Sequence, residues 1–129
     1  MPKKETIKRA REDARQGKSP STQAGEFVRE EIENIREGKH GARSAKQAIA
    51  IGLSQARRAG VQLPPPEKGK ASEATRRKAM HDLERGKKPR KPSAKRSRAT
   101  TKALKREPKA SVSTTALARQ AKAAARARR

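Results

Sequence analysis

The chain has 129 residues and a net charge of +23, from 36 Lys and Arg against 13 Asp and Glu. Leu, Ile, Val and Phe together number only 14, well below the share of roughly 20% at which a packed core is expected, so a large hydrophobic core is excluded. The absence of cysteine excludes disulfides and cysteine metal ligands, and no apolar run is long enough to cross a membrane. The charged start lacks the apolar segment of a secretory leader, so we expect a cytoplasmic protein.

Three consecutive prolines at 64–66 predict a stiff spacer between two regions of different character. The region before residue 67 carries 14 basic and 8 acidic residues, and the region after it carries 22 basic and 5 acidic residues. Most large apolar side chains lie in the first region. The sequence therefore predicts a mainly α-helical protein: a small helical domain over residues 1–63, a Pro-rich linker over 64–70 and a largely disordered basic tail over 71–129.

A first helix is predicted over residues 3–16. Opposite charges four residues apart, such as Glu5 and Arg9, would support it. Its apolar positions are limited to Ile7 and two alanines, so we expect this helix to dock weakly.

Two further helices are predicted to form a hairpin whose core spans residues 22–60. Each is bounded by residue types that begin or end helices. These residues are Ser21 or Thr22 and Gly38 for the second helix, and Ser44, Gln47 and Gly60 for the third. Phe27, on the second helix, is expected in the core.

The third helix carries one stripe of small and apolar residues. The stripe consists of Ala45, Ala48, Ile49, Gly52, Leu53, Ala56 and Ala59. Its small members would let a partner helix approach closely. Ile51 points away from this stripe, and it is either exposed or a contact for the first helix or for a second copy of the chain.

The tail is predicted to hold only transient helices, over residues 72–85 and 115–129. Between them, residues 87–98 contain seven positive charges, two prolines and no acid. Such a segment repels itself and buries no apolar surface, so it is expected to be disordered.

No pattern of catalytic or metal-binding residues is visible. The acids between Glu26 and Glu37 alternate with Arg29 and Arg36, which predicts a solvated helix face rather than an acid/base pair. His40 lies in a loop between Gly38 and Gly41, and it is expected to contact phosphate or to have no role. We therefore expect neither an enzyme nor a protein that binds a metal, a cofactor or a small-molecule substrate.

The charge indicates a polyanion as partner, because each phosphate paired with Lys or Arg releases condensed counterions. Phe27 is the only aromatic residue, so stacking on unpaired bases is disfavoured and duplex DNA is favoured. The candidate nucleic-acid-binding residues form two groups. The tail group is Lys87, Lys88, Arg90, Lys91, Lys95, Arg96, Arg98, Lys102, Lys105 and Arg106. The hairpin group is Lys39, Arg43, Lys46, Arg57 and Arg58.

The third predicted helix contains a recognisable motif, the run Lys46-Gln47-Ala48-Ile49-Ala50-Ile51 within residues 38–60. Together with residues 21–38, this stretch resembles a family of small basic bacterial proteins of unknown function, which implies no established activity. The Lys/Ala/Pro tail is similar to the tails of linker histones and of bacterial histone-like proteins. That likeness implies coating or compaction of DNA.

These observations favour a nonspecific DNA-binding protein, histone-like or nucleoid-associated. Two alternatives stay open: a protein associated with RNA or the ribosome, and an adaptor whose hairpin stripe binds a protein partner. The same stripe could pair two copies of the chain in a homo-oligomer.

Replacing seven tail cations by Gln should reduce the salt dependence of duplex binding. The seven are Lys87, Lys88, Arg90, Lys91, Lys95, Arg96 and Arg98. Each phosphate contact contributes a slope of about 0.9 in log affinity against log salt, so the slope should fall by up to about 6. Titrations of several duplex sequences at several salt concentrations measure it, and every duplex should show the same loss. Wild-type slope and affinity in the variant would assign binding to the hairpin group instead.

Overall fold

The structure is a computed structural model that describes residues 2–88 and 93–128. Within this part of the chain, six α-helices and one short 3-10 helix form. Their bounds are α1 Lys4–Arg15, α2 Pro20–Arg36, α3 Ala45–Arg58, α4 Glu73–Lys87, α5 Ala94–Lys105, the 3-10 helix Ala110–Val112 and α6 Thr114–Ala127. None of the helices among the described residues is long and apolar enough to cross a membrane.

The prediction of a largely disordered tail is wrong, because α4, α5 and α6 are regular helices within residues 71–128. Each of them begins with a serine N-cap. Ser72, Ser93 and Ser113 accept hydrogen bonds from the backbone N–H groups of the first turns of α4, α5 and α6. Such caps and the high helix propensity of alanine stabilise these segments locally, which an argument from charge and core size alone does not include.

The helices belong to two compact units, each assembled from two separate stretches of sequence. The first unit combines residues 1–30 with 51–91, and the second combines residues 31–50 with 92–129. Helices α2 and α3 therefore contribute residues to both units. Each unit has a small core of its own.

The core of the first unit consists of Ala10, Ala24, Phe27, Ala56 and Val61. Phe27 is 1% exposed, which confirms its predicted place in the core. Four partly buried residues pack against this cluster, namely Ile7, Leu53, Ala59 and Leu63. Three of the five central residues are alanines, so the unit is packed mainly through close contact of small side chains.

Helix α1 is held to the first unit by polar contacts that its thin apolar stripe did not indicate. The Lys3 backbone N–H donates to the Glu30 carboxylate at 2.7 Å, and Arg9 pairs with Glu26 at 3.5 Å rather than with Glu5. The prediction of a solvated acidic face on α2 is wrong for Glu30 and Glu31, which are 4% and 2% exposed. Both carboxylates have partners, so their burial is compensated.

Helices α2 and α3 approach closely at Gly52. A Cβ atom on Gly52 would lie 2.6 Å from the Cα of Val28, so no side chain fits at this position. The predicted start of α3 is also confirmed, because the Ser44 hydroxyl accepts from the Gln47 N–H at 3.1 Å. The Gln47 side chain in turn accepts from the Arg43 N–H at 2.6 Å. These bonds satisfy N–H groups that the helix itself leaves free.

The core of the second unit consists of Ile35, Ala42, Ala48 and Val112, with Ile32 packed against it. Val112, on the 3-10 helix, is completely buried. The Arg36 guanidinium donates to the Val112 carbonyl oxygen, at 3.2 Å from Nη2. These contacts join α2 to a residue 76 positions later in the sequence.

The loop before α3 is hydrogen-bonded to the end of α5 and to the segment that follows it. The Gly41 N–H donates to the Leu104 carbonyl at 2.8 Å, and the Ala42 N–H donates to the Pro108 carbonyl at 3.0 Å. A Cβ atom on Gly41 would overlap the backbone oxygen of Glu107. The segment that links α5 to α6 is thus fixed by backbone hydrogen bonds at a position that only glycine allows.

Gly52→Ala is expected to lower the free energy of unfolding by about 1–3 kcal/mol, because the added methyl group overlaps the Val28 backbone. The matched control is Gly25→Ala on α2, where a Cβ atom would meet nothing within 4 Å. Alanine is the better helix former, so Gly25→Ala should raise stability by up to about 1 kcal/mol. Urea denaturation of both variants measures the difference, and stabilisation by Gly52→Ala would contradict the close approach.

Candidate nucleic-acid interface

Helix α5 presents a row of cations along one side. Lys95, Arg98, Lys102 and Lys105 are spaced by three, four and three residues, which places them within about 80° of one another around the helix axis. We call this set the α5 stripe. At 1.5 Å per residue it is about 15 Å long. No residue of α5 is buried, so the whole stripe is accessible to a large ligand.

The α5 stripe has no internal counter-charge in the described part of the chain. Helix α5 contains no Asp or Glu, and none of its cations lies within ion-pair distance of a described carboxylate. Arg98, Lys102 and Lys105 line a shallow surface depression together with Ser97 and Thr101. Hydroxyl and cationic groups are the side chains that most often contact phosphate oxygens.

Helix α6 carries a shorter row of the same kind, which the sequence analysis missed. Arg119, Lys122 and Arg126 are spaced by three and four residues and lie within about 60° of one another. No residue of α6 is buried, and the helix contains no acid. The signal that could have revealed this row is the helical spacing of the cations.

The other predicted tail residues lie in different surroundings. Lys87 ends α4 and pairs with Glu84 at 3.2 Å, and Lys88 is the C-cap residue of that helix. Arg96 lies on α5 about 100° away from Lys95, and Arg106 is the C-cap residue of α5. Arg90 and Lys91 lie outside the described residues.

Arg57 and Arg58 of the hairpin group contact other residues of the first unit. Arg57 is 8% exposed, and its guanidinium donates to the carbonyl oxygens of Leu63 at 3.1 Å and Pro64 at 3.0 Å. Burial lowers the pKa of Arg57, and the nearby Asp82 carboxylate opposes this shift. Arg58 lies 3.8 Å from the same carboxylate. Arg57 therefore fixes the chain after α3 and has little surface left for a ligand.

The remaining hairpin residues belong to the second unit. Lys39 pairs with Glu37 at 3.4 Å. Arg43 and Lys46 are exposed and have no carboxylate partner among the described residues. These two cations are available to a ligand, whereas a ligand must displace Glu37 from Lys39.

Asp82 is a buried carboxylate that connects α4 to α3. The Ser54 hydroxyl donates to it at 2.8 Å, and Lys78 lies 3.5 Å from the same oxygen. With Arg58 near its other oxygen, the carboxylate is surrounded by donors. This arrangement explains how α4 is attached to the first unit by a helix face with few apolar residues.

His40 has a partner that its sequence neighbourhood did not reveal. Its Nε2 atom lies 2.5 Å from the Glu31 carboxylate of α2, and its Nδ1 atom lies 2.9 Å from the Gly41 carbonyl oxygen. Both ring nitrogens are therefore engaged within the second unit, where they hold the loop before α3. In residues 2–88 and 93–128, no group of three or more His, Asp or Glu side chains is placed to hold a metal ion.

The match with known families concerns the first half of the chain. A model of a family of unknown function, DUF6496, matches residues 3–68. The chain belongs to this family. The DUF6496 match includes α1, α2 and α3, and it ends before α4. It confirms membership of a family of unknown function and assigns no activity.

Two further comparisons found no match. No curated protein is significantly similar to the chain, and no solved structure is significantly similar to it. The α5 stripe and the α6 row lie outside the DUF6496 match.

Arg57→Met is expected to lower the free energy of unfolding by about 2 kcal/mol, because the Leu63 and Pro64 carbonyls lose a charged donor. The control is Arg77→Met on α4, where an exposed arginine without a described partner is replaced and stability should change by less than about 0.5 kcal/mol. Thermal and urea denaturation measure both. Equal stability of the two variants would contradict a fixing role for Arg57.

Proposed function

We propose that this protein binds duplex DNA through its phosphate backbone, without sequence specificity, and that the α5 stripe is the main contact. The observation that carries the proposal is that α5 bears four aligned cations, all of them exposed, with no counter-charge among the described residues. A helix of this kind gains little from the protein's own core. Its composition suits a polyanionic partner better than an internal packing role.

The dimensions of the stripe fit a nucleic-acid strand. Duplex DNA carries one phosphate per 3.4 Å of axis on each strand, so a stripe about 15 Å long can contact more than one phosphate. Each contact releases condensed counterions, and no existing ion pair on α5 has to break first. Binding would also remove the repulsion between neighbouring cations such as Arg98 and Lys102.

Two observations support duplex binding with little sequence preference. The only aromatic residue, Phe27, is buried in the first unit and cannot stack on a base. Helix α5 contains neither Asn nor Gln, which commonly read adenine in the major groove. Backbone contacts therefore carry the proposed affinity. A histone-like role at the nucleoid of a bacterial cell is the corresponding cellular proposal.

RNA and a protein partner are the competing ligands. Helical RNA also presents phosphates, so competition between duplex DNA and duplex RNA at fixed salt decides between them. An adaptor would need the stripe on α3, yet Ala48 and Ala56 are completely buried within the protein. This burial favours the nucleic-acid proposal over the adaptor proposal.

Arg98→Gln/Lys102→Gln is expected to reduce the slope of log affinity against log salt for duplex DNA by about 1.8, because two phosphate contacts are lost. The control Lys68→Gln/Lys70→Gln removes the same charge from two exposed lysines outside any stripe. It should change the slope by much less. Fluorescence anisotropy with labelled duplexes at several salt concentrations measures both.

Equal losses in the two variants would show that only net charge matters. In that case, the α5 stripe would not be a binding surface. Stronger competition by duplex RNA than by duplex DNA would replace the proposed ligand by RNA.

A further inference from the structure

Helix α1 carries a second aligned set of cations. Lys4, Lys8, Arg11 and Arg15 are spaced by four, three and four residues and lie within about 60° of one another. We call this set the α1 stripe, and it is about 16 Å long at 1.5 Å per residue. Together with Ile7 and Ala14, its members line a groove on the surface of the first unit.

The α1 stripe faces away from the core. The buried residues of α1 are Thr6, Ala10 and Asp13, which lie on the opposite side of the helix. The stripe can therefore contact a ligand without any change in the packing of α1. It also means that substitutions in the stripe leave the core contacts of the first unit intact.

Most cations of the α1 stripe are not neutralised by the protein. Among the described residues, Lys4, Lys8 and Arg11 have no carboxylate within ion-pair distance. Arg15 pairs with Glu12 at 2.7 Å, and the α1 cation outside the groove, Arg9, pairs with Glu26. The uncompensated charge of α1 is thus concentrated in the groove.

We infer that the α1 stripe binds the phosphate backbone of a second DNA duplex, so that one chain bridges two duplexes. The inference rests on the proposed function, since it assigns the first duplex to the α5 stripe. The two stripes belong to different units of the chain, and each consists of four cations aligned on one helix. Charge complementarity and length select a nucleic-acid strand as the occupant of the groove.

An anionic membrane surface fits the groove less well. Membrane-surface helices insert large apolar side chains into the lipid. The one large apolar residue of the groove is Ile7, which packs against the core of the first unit. The groove therefore offers charge but no anchor for lipid.

The test measures whether the protein bound to one duplex captures a second duplex. Biotinylated duplex on beads is loaded with the full chain, washed and then offered a second, fluorescent duplex of unrelated sequence. At 0.1 M salt each phosphate contact contributes up to about eightfold in affinity. Lys8→Gln/Arg11→Gln should therefore lower the capture of the second duplex about tenfold or more. Its affinity for a single duplex in solution should fall much less, because the α5 stripe is intact.

The control Lys68→Gln/Lys70→Gln removes equal charge from the same unit and should capture the second duplex as the wild type does. Circular dichroism melting establishes that the variants are folded. Sedimentation at the loading concentration tests whether the free protein is monomeric, because a bridge formed by pairs of chains would contradict the inference that one chain bridges two duplexes.

The outcomes separate this inference from the proposed function. If the wild type binds one duplex but captures no second one, or if Lys8→Gln/Arg11→Gln captures as well as the wild type, the bridging inference is overturned and the α5 proposal stands. If Lys8→Gln/Arg11→Gln loses binding to anionic vesicles but captures the second duplex as the wild type does, the groove is assigned to lipid. If Arg98→Gln/Lys102→Gln binds a single duplex as tightly as the wild type, the proposed function itself fails.

Discussion

Segments of this chain pack closely at points of contact where one residue is glycine, which has no side chain. Gly52 leaves room for the backbone of Val28, Gly41 for the backbone of Glu107, and Gly86 for the carbonyl of Arg57. A chain with so few large apolar residues cannot gain enough from side-chain burial at ordinary helix separations. Close backbone approach increases the number of atomic contacts that each alanine makes, and it brings peptide groups within hydrogen-bond distance.

The same shortage of apolar residues explains the use of buried carboxylates. Glu30 holds the start of α1, Glu31 holds His40, and Asp82 connects α4 to Ser54. These three acids are buried and bind partners inside the protein. The cations of α5 and the unpaired cations of α1 are exposed to solvent. Fewer carboxylates therefore remain exposed than the sequence suggests, because Glu30, Glu31 and Asp82 are used for internal contacts.

The sequence predicts those features that depend on neighbouring residues. The start of α3 at Ser44 and the burial of Phe27 follow from local spacing and from helical periodicity. Helices α5 and α6 were not predicted as stable helices, because the prediction weighed charge and core size and left out the serine caps and the helix propensity of alanine. The contact of Arg36 with Val112 could not be predicted from neighbouring residues, because the two lie 76 positions apart. The burial of Glu30 was also missed, since an amphipathic pattern assigns every charged residue to the solvent.

The candidate site was predicted from the density of charge rather than from its helical spacing. The density of charge led to Arg98 and Lys102 as candidate binding residues. It also led to Arg57, whose guanidinium donates to two carbonyl groups of the protein. Spacing of three and four residues would have revealed the α1 stripe and the α6 row. The difference is physical, because a helix aligns residues that the sequence separates.

Each unit is assembled from two separate stretches of sequence, and this limits how early each unit can form during synthesis. Residues 31–50 leave the ribosome early, but their packing partners lie in residues 92–129. Until Val112 is made, Ile35 and Ala48 lack the residue that completes their cluster. The second unit can therefore complete its core only after the 3-10 helix has been made, and any chain that stops before the 3-10 helix leaves this apolar surface uncovered.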